Sequence, residues 1–211
     1  ITSDQERYFE RYPFPVPGRE RLMKTGTTFA RHYINSCVCT SSRSVMYTGL
    51  HMPQTRMFDN VGLPWMPWSL DPKLGTVASM IDKLGYYAAY KGKWHLSRPL
   101  AQSLKNVPSK AIDDIDHAPL HQDMQQYGFQ DYSGIGDLIG LRKGGYVYDS
   151  LTVAQSVSWL RSKGRNMSDS QQPWLLAVNL VNPHDVMFID TDAPGERIQW
   201  HSKLKENQPM G

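Results

Sequence analysis

Trp174-Leu175-Leu176-Ala177-Val178-Asn179-Leu180-Val181-Asn182-Pro183-His184 is the stretch whose reading decides the fold. Residues 174–181 are almost continuously apolar, without the alternation of a strand that faces water on one side. The run is too short to span a bilayer, and it fits a central strand buried on both faces of a parallel sheet. Parallel strands need crossovers, and the chain has helical patterns to make them. Leu74, Val77, Ala78, Ile81 and Leu84 lie at helical spacing and stop at Gly85; Leu151, Ala154, Val157, Ser158 and Leu160 mark a helix over 148–163. Residues 86–90 read as a strand delivering Gly92-Lys93-Trp94-His95 at its carboxyl end, and residues 1–3 as a strand end delivering Asp4. The fold class is therefore α/β, with a largely parallel central sheet flanked by helices. Asp4, His95 and His184 all follow strands, and open α/β sheets bind ligands beyond the carboxyl ends of their strands.

Between these segments the pattern is less regular. Residues 5–18 read as an aromatic, proline-rich loop, 19–24 as a short helix stopped by Gly26, and 27–34 as a strand, from their β-branched and aromatic character. Residues 51–72 form a loop rich in Pro, Trp and Met, in which Trp65, Met66 and Trp68 pack under the loop or wall a substrate. Residues 100–145 read as an irregular polar insertion lining the site. Residues 190–211 read as a surface loop or tail.

The chain of 211 residues is long enough for one sizeable core. Its formal charge of +3 is scattered rather than striped, which argues against a nucleic-acid face but is compatible with a locally positive pocket. No run is apolar enough to span a membrane. Two cysteines, Cys37 and Cys39, make no disulfide framework and leave the compartment open, periplasmic or secreted as well as cytoplasmic. Ile1 reads as lying inside a strand, so the native start is expected upstream. Oligomeric state is not legible.

The chemistry centres on Cys39-Thr40-Ser41-Ser42-Arg43, followed by Ser44-Val45-Met46-Tyr47-Thr48-Gly49. A potential nucleophile stands just ahead of a fixed cation at a helix entry, where amides favour an anion. Taken with the strand ends, the residues suit an anionic ester. Lys93 supplies a point charge, and His95 and His184 can donate hydrogen bonds or a proton. Asp4 is a hard oxygen ligand of the kind Ca²⁺ or Mg²⁺ prefers, and a metal beside a nucleophile lowers its pKa. Arg43 can hold the nucleophile loop through its rigid donor fork. Taken singly each has a bland reading: Cys39 as a small buried hydrophobe, Asp4 as a solvated charge, Lys93 and His95 as strand ends.

Their order along the chain resembles the sulfatase family. Residues 39–49 resemble its Cys-x-Pro-Ser-Arg-x-x-x-x-Thr-Gly signature, with Ser41 at the proline position. Gly85-Tyr86 leading into Gly92-Lys93-Trp94-His95 is similar to its second signature, from which Ala88 and Lys91 depart. Thr2-Ser3-Asp4 is similar to its amino-terminal acidic pair, with Ser3 in place of the first acid, and Asn182-Pro183-His184-Asp185 to the segment carrying a substrate-binding histidine. The resemblance implies a sandwich of the alkaline phosphatase and sulfatase type. It implies hydrolysis of a sulfate monoester to an alcohol and inorganic sulfate, with Cys39 oxidised to formylglycine by a maturation enzyme. Catalytic roles fall on Cys39, Arg43, Lys93, His95 and His184, substrate binding on Lys93, His95 and His184, and metal binding on Asp4 and residue 39. The metal implied is Ca²⁺ first, with Mg²⁺ or Mn²⁺ as alternatives, and the substrate a small-molecule or carbohydrate sulfate ester. A phosphonate monoester or phosphodiester hydrolase on the same scaffold, and an inactive anion-binding relative, remain the alternatives.

The resemblance implies that residues 1–189 are the amino-terminal part of the catalytic domain, with 190–211 leading to a further part. That part is expected to supply an Asp-Asn or Asp-Gln ligand pair, which Asp190-Thr191-Asp192 does not match, so the chain alone is expected to be inactive. Two other signals read as structural. Gly134-Ile135-Gly136-Asp137-Leu138-Ile139-Gly140 misses dinucleotide-binding spacing and reads as a flexible loop. His117 and His121, among Asp113, Asp114, Asp116 and Asp123, read as a solvated acidic loop, because Pro119 between them argues against a helix.

Overall fold

The computed structural model describes residues 1–66, 68–102, 116–134, 136–137 and 144–184. Its centre is a three-stranded parallel sheet of β1 (Thr2–Asp4), β2 (Tyr87–Gly92) and β3 (Trp174–Pro183), in the order β1-β3-β2. The apolar run is the middle strand, as its lack of alternation predicts. Tyr87 pairs with Trp174 and Gly92 with Asn179, while Thr2 also pairs with Asn179 from the other side. All three strands end at one edge, so their carboxyl ends open onto the same crevice.

Helices cover both faces. On one, α2 (Cys39–Thr48) and α4 (Val77–Asp82) enclose a core built on Tyr47, Tyr90, Trp94, Tyr127 and Phe129. Trp94 is fully buried, with ring centroids 5.2 Å from Tyr47, 5.3 Å from Tyr90 and 5.1 Å from Tyr127. On the other, α7 (Gly144–Trp159) runs into a π-helical turn, Leu160–Gly164, and then α8 (Arg165–Asp169). There Trp159 packs on Trp174 at 5.2 Å, with Ala89 and Met167 buried alongside. Among the described residues no helix is long and apolar enough to cross a membrane.

Shorter elements join these: α1 (Pro17–Thr25), α3 (Met52–Thr55), a 3₁₀ turn at Pro72–Leu74, α5 (Arg98–Gln102) and α6 (Ala118–Gln126). α4 is capped by Thr76, whose hydroxyl accepts from Ser79 N while the Ser79 hydroxyl accepts from Thr76 N.

Three local expectations are corrected. The strand over 27–34 is absent: these residues are exposed and irregular. Their β-branched and aromatic residues register fit to a pleated, half-buried surface, and without a neighbouring strand that preference has nothing to act on. The helical pattern from Leu74 onward divides at Gly75, with a 3₁₀ turn before it and α4 after. The segment around His117 and His121 is a helix after all. Pro119 sits in the first turn of α6, where its missing N–H costs nothing. Within that helix Asp123 is buried against the Ser97 hydroxyl rather than solvated, and the two histidines face backbone: His117 Nδ1 lies 3.2 Å from Gly134 O and His121 Nδ1 3.4 Å from Tyr132 O. Met66 is a core residue, whereas Trp65 and Trp68 are exposed. Asp113, Asp114, Leu138, Ile139, Gly140, Asp185 and residues 190–211 lie outside the described residues.

Candidate active site

Four backbone elements converge at the carboxyl edge of the sheet. β1 ends on Asp4, β2 leads directly into Lys93, β3 runs out to His184, and α2 begins at Cys39. The residues flanking these points adopt backbone that side chains seldom accept: Gln5 at φ 57°, Val38 at φ 61° and His95 at φ 56°. Strain of this kind costs on the order of 1–3 kcal/mol per residue and persists only where the surroundings impose it. Arg56, Asp131 and Gln171 share such backbone elsewhere, but here it falls beside Asp4, Cys39 and Lys93 together.

Gly92 is what lets β2 deliver Lys93. At φ 87° it lies so close to β3 that an added Cβ would penetrate the Asn179 carbonyl oxygen and sit 2.9 Å from its carbon. That approach places Lys93 N 3.0 Å from the same carbonyl, which accepts its hydrogen bond. The Lys93 side chain, 1% exposed, then spans the site. Its ammonium donates to Asp4 Oδ2 and lies 3.3 Å from Cys39 Sγ. Asp4 Oδ2 and Oδ1 are 3.7 and 3.8 Å from that sulfur.

Arg43, one turn along α2 from Cys39, is buried and faces the crevice. Its Nη1 donates to Lys93 O at 2.8 Å and to Asn179 Oδ1 at 3.3 Å, and its Nη2 is 3.8 Å from Asp4 Oδ2. One guanidinium thus ties the helix to the ends of β1 and β2 and to the middle of β3. Burial opposes ionisation of Asp4, but Lys93 and Arg43 outweigh it and hold the carboxyl below its ordinary range. Burial likewise opposes the Cys39 thiolate. The His184 hydrogen bond and the Lys93 charge prevail, so the thiol is more acidic than a free cysteine. Its place at the first residue of a ten-residue helix acts in the same direction.

Asp4, Cys39 and His184 each offer a ligand atom, all within 4.8 Å of one another. The structure therefore brings together Asp4, Cys39, Arg43, Lys93 and His184. His95 stands behind them. Its carbonyl accepts from Thr40 Oγ1 at 2.7 Å, and burial, followed by the charges of Lys93 and Arg43, pushes its imidazole well below the ordinary histidine range.

As donors for a metal, the described residues supply a partial shell. Asp4 fits a hard divalent cation, and its present countercharge is the Lys93 ammonium. With sulfur at residue 39 the trio is a mixed O, S, N set. With oxygen there it becomes harder and fits Ca²⁺ or Mg²⁺ better, although such ions take ~6–8 oxygens.

Two residues essential to this geometry were not singled out from the sequence. Asn179 Oδ1 accepts from Thr2 Oγ1 at 2.7 Å, Tyr47 Oη at 2.8 Å and Arg43 at 3.3 Å. Its signal was a lone amide inside an apolar run. Asp137 accepts from Trp94 N at 2.7 Å and His95 N at 2.9 Å, fixing the backbone that carries Lys93. It belongs to the glycine-rich segment read as a flexible loop; burial pushes its carboxyl up to about 6 despite those two amides.

The family model described as Sulfatase matches residues 2–209. The chain is similar to steryl-sulfatase of Mus musculus, 28% identical over 125 residues, covering 57% of this chain and 18% of that protein. It is also similar to arylsulfatase K of Gallus gallus, 25% identical over 163 residues, covering 77% of this chain and 27% of that protein. The chain thus spans roughly a quarter or less of these relatives' own lengths.

Proposed function

Because this chain belongs to the sulfatase family, we propose that the protein containing it hydrolyses a sulfate monoester to an alcohol and inorganic sulfate, with residue 39 acting as formylglycine. The observation that carries the reading is the Lys93 ammonium placed between the Asp4 carboxylate and residue 39, 3.3 Å from the Cys39 sulfur. In the mature protein the reacting atom at residue 39 would be an aldehyde-derived oxygen, for which that sulfur stands in.

The side chains divide the work. Lys93 neutralises the anionic ester and, with Arg43 behind Asp4, keeps the crevice positive where charge develops. His184, hydrogen-bonded to residue 39, holds or moves the proton there, and either His184 or Lys93 is placed to assist the departing alcohol. Arg43 and Asp137 position rather than react: they fix the Lys93 backbone from its carbonyl side and from the following amides. The hydrated aldehyde supplies two hydroxyls on one carbon, one to take up the sulfuryl group and the other to expel it. Asp4 and residue 39 would hold a divalent metal, Ca²⁺ first and Mg²⁺ or Mn²⁺ after it, which supplies a lowered hydroxyl pKa and a clamp on ester oxygens.

Two measurements test this. The tryptic peptide spanning residues 32–43 from the natively produced protein should be lighter by the change from CH₂SH to CHO, which requires a maturation enzyme that accepts Ser41. Turnover of an aryl sulfate should exceed that of the matching aryl phosphonate, and Lys93→Ala and His184→Ala should each lower it by ~10²–10⁴. Near-normal rates in both variants sink the assignment. Faster phosphonate turnover favours the phosphonate reading, and sulfate binding without turnover the inactive one.

A further inference from the structure

On the α7 face of the sheet, away from Cys39, lies a cleft of about 430 Å³ whose lining includes Lys91, His121, Asp131, Ser133, Gln155 and Lys163. Lys91 is the anomaly. It sits on β2 at a position that departs from the family signature, and it is 5% exposed. Its ammonium donates to the Asp131 backbone carbonyl and, at 2.9 Å, to Ser133 Oγ. Both acceptors are neutral. A buried cation held only by neutral oxygens is costly, and proteins ordinarily resolve this with a carboxylate partner.

Among the described residues the carboxylate lining the cleft is that of Asp131, whose charge favours the Lys91 ammonium but whose direct partners lie elsewhere. Asp131 lies 3.0 and 2.9 Å from Lys163 Nζ through its two oxygens and accepts from Trp159 Nε1 at 2.8 Å. Lys163, presented by the π-helical turn, also donates to Tyr87 Oη at 2.6 Å. Two ammonium groups thus face one carboxylate, and Lys163 holds it. The remaining wall sets the hydroxyls and amide of Ser133, Ser158, Ser162 and Gln155 beside the rings of His121, Tyr132 and Trp159. Lys91 keeps a further N–H beyond its two bonds. Single-turn π insertions are frequent at functional sites.

We propose that this cleft is a second anion-binding site, taking an oxyanion (sulfate or carboxylate, free or carried on a sugar) on the Lys91 ammonium. The oxyanion provides a direct charge partner, which Lys91 does not find among the described residues, and the surrounding hydroxyls and amide suit its remaining oxygens. The site is independent of the reaction proposed above, because it shares none of Asp4, Cys39, Arg43, Lys93 or His184.

The test is calorimetric titration of the full-length protein with sodium sulfate at constant ionic strength, in the unaltered protein and in Lys91→Met, Lys163→Gln and Lys93→Ala. The expected result is a saturable sulfate site that weakens on the order of tenfold or more in Lys91→Met and persists in Lys93→Ala. Lys163→Gln should weaken it comparably, because Asp131 is then released to pair with Lys91. It also serves if Lys91→Met does not fold, since the Lys163 side chain is 43% exposed. Unchanged sulfate binding in Lys91→Met or in Lys163→Gln, or loss of all sulfate binding in Lys93→Ala alone, overturns the proposal. Repeating the titration with glucuronate and acetate separates the sources: tighter glucuronate binding assigns a sugar-borne anion, and equal binding a free one.

Discussion

Gly92→Ala tests the claim that backbone proximity at one residue positions Lys93. A left-handed residue bearing a Cβ costs ~1–2 kcal/mol. Here the methyl also lands on the Asn179 carbonyl, so β2 and β3 must part, an overpacking penalty of ~1–3 kcal/mol. Parting lengthens the 3.0 Å bond from Lys93 N to Asn179 O, worth ~0.5–1.5 kcal/mol. Together these reach roughly 3–6 kcal/mol, a large share of the ~5–15 kcal/mol that holds a typical domain. Gly85→Ala is the internal control, since Gly85 has φ 81° but nothing within 4 Å of an added Cβ, leaving only the conformational cost. Equilibrium urea unfolding of both variants reads the difference directly. If Gly92→Ala falls within ~1 kcal/mol of Gly85→Ala, the steric argument is wrong and Lys93 is held by other means.

Arg43→Met should lose ~3–5 kcal/mol in thermal unfolding, because it strips the buried contacts to Lys93 O and Asn179 and leaves Asp4 with one cation. Arg43→Lys should not restore it, since a single ammonium cannot reproduce the fork; a fully stable lysine variant would contradict that. Ser41 is fully buried and its hydroxyl has no partner among the described residues, so Ser41→Ala should be neutral or stabilising, by up to ~1–3 kcal/mol, in the same melt. In unmatured protein carrying Cys37→Ser, the Cys39 thiol should be alkylated with a pH midpoint below that of an ordinary cysteine. Lys93→Met should move that midpoint upward, because the lysine charge favours the thiolate; a shift downward would reverse the electrostatic assignment.

What the sequence disclosed was whatever burial imprints on residue type. Continuous apolar character marked 174–181 as the central strand because both faces are covered. The glycine before Lys93 and the turn before His184 showed where strands release side chains into the crevice. What stayed hidden depends on partners distant along the chain. Residues 27–34 carry strand-like side chains but meet no sheet. Asp137 acts through backbone amides some forty residues upstream, a relation with no local pattern. Asn179 looked like a blemish in an apolar run, whereas its oxygen gathers donors from β1 and α2. The helix after His117 is hidden because a proline ordinarily breaks helices, whereas first-turn placement makes Pro119 harmless.

The strand order β1-β3-β2 also carries a consequence in time. Among the described residues β1 and β2 are not paired with each other; within the sheet each pairs with β3, the last of the three to leave the ribosome. Until Trp174–Pro183 emerges the sheet cannot form, and Arg43 and Tyr47 of α2 lack the Asn179 oxygen that holds them. At translation rates of ~5–20 residues/s, the interval between synthesis of Cys39 and of Trp174 is roughly 7–27 s. A modifying enzyme that reads Cys39 in extended form has that interval in which to act before arrival of the central strand draws the peptide into the crevice. The timer is set by where β3 lies in the gene, so its position is itself part of how residue 39 would become reactive.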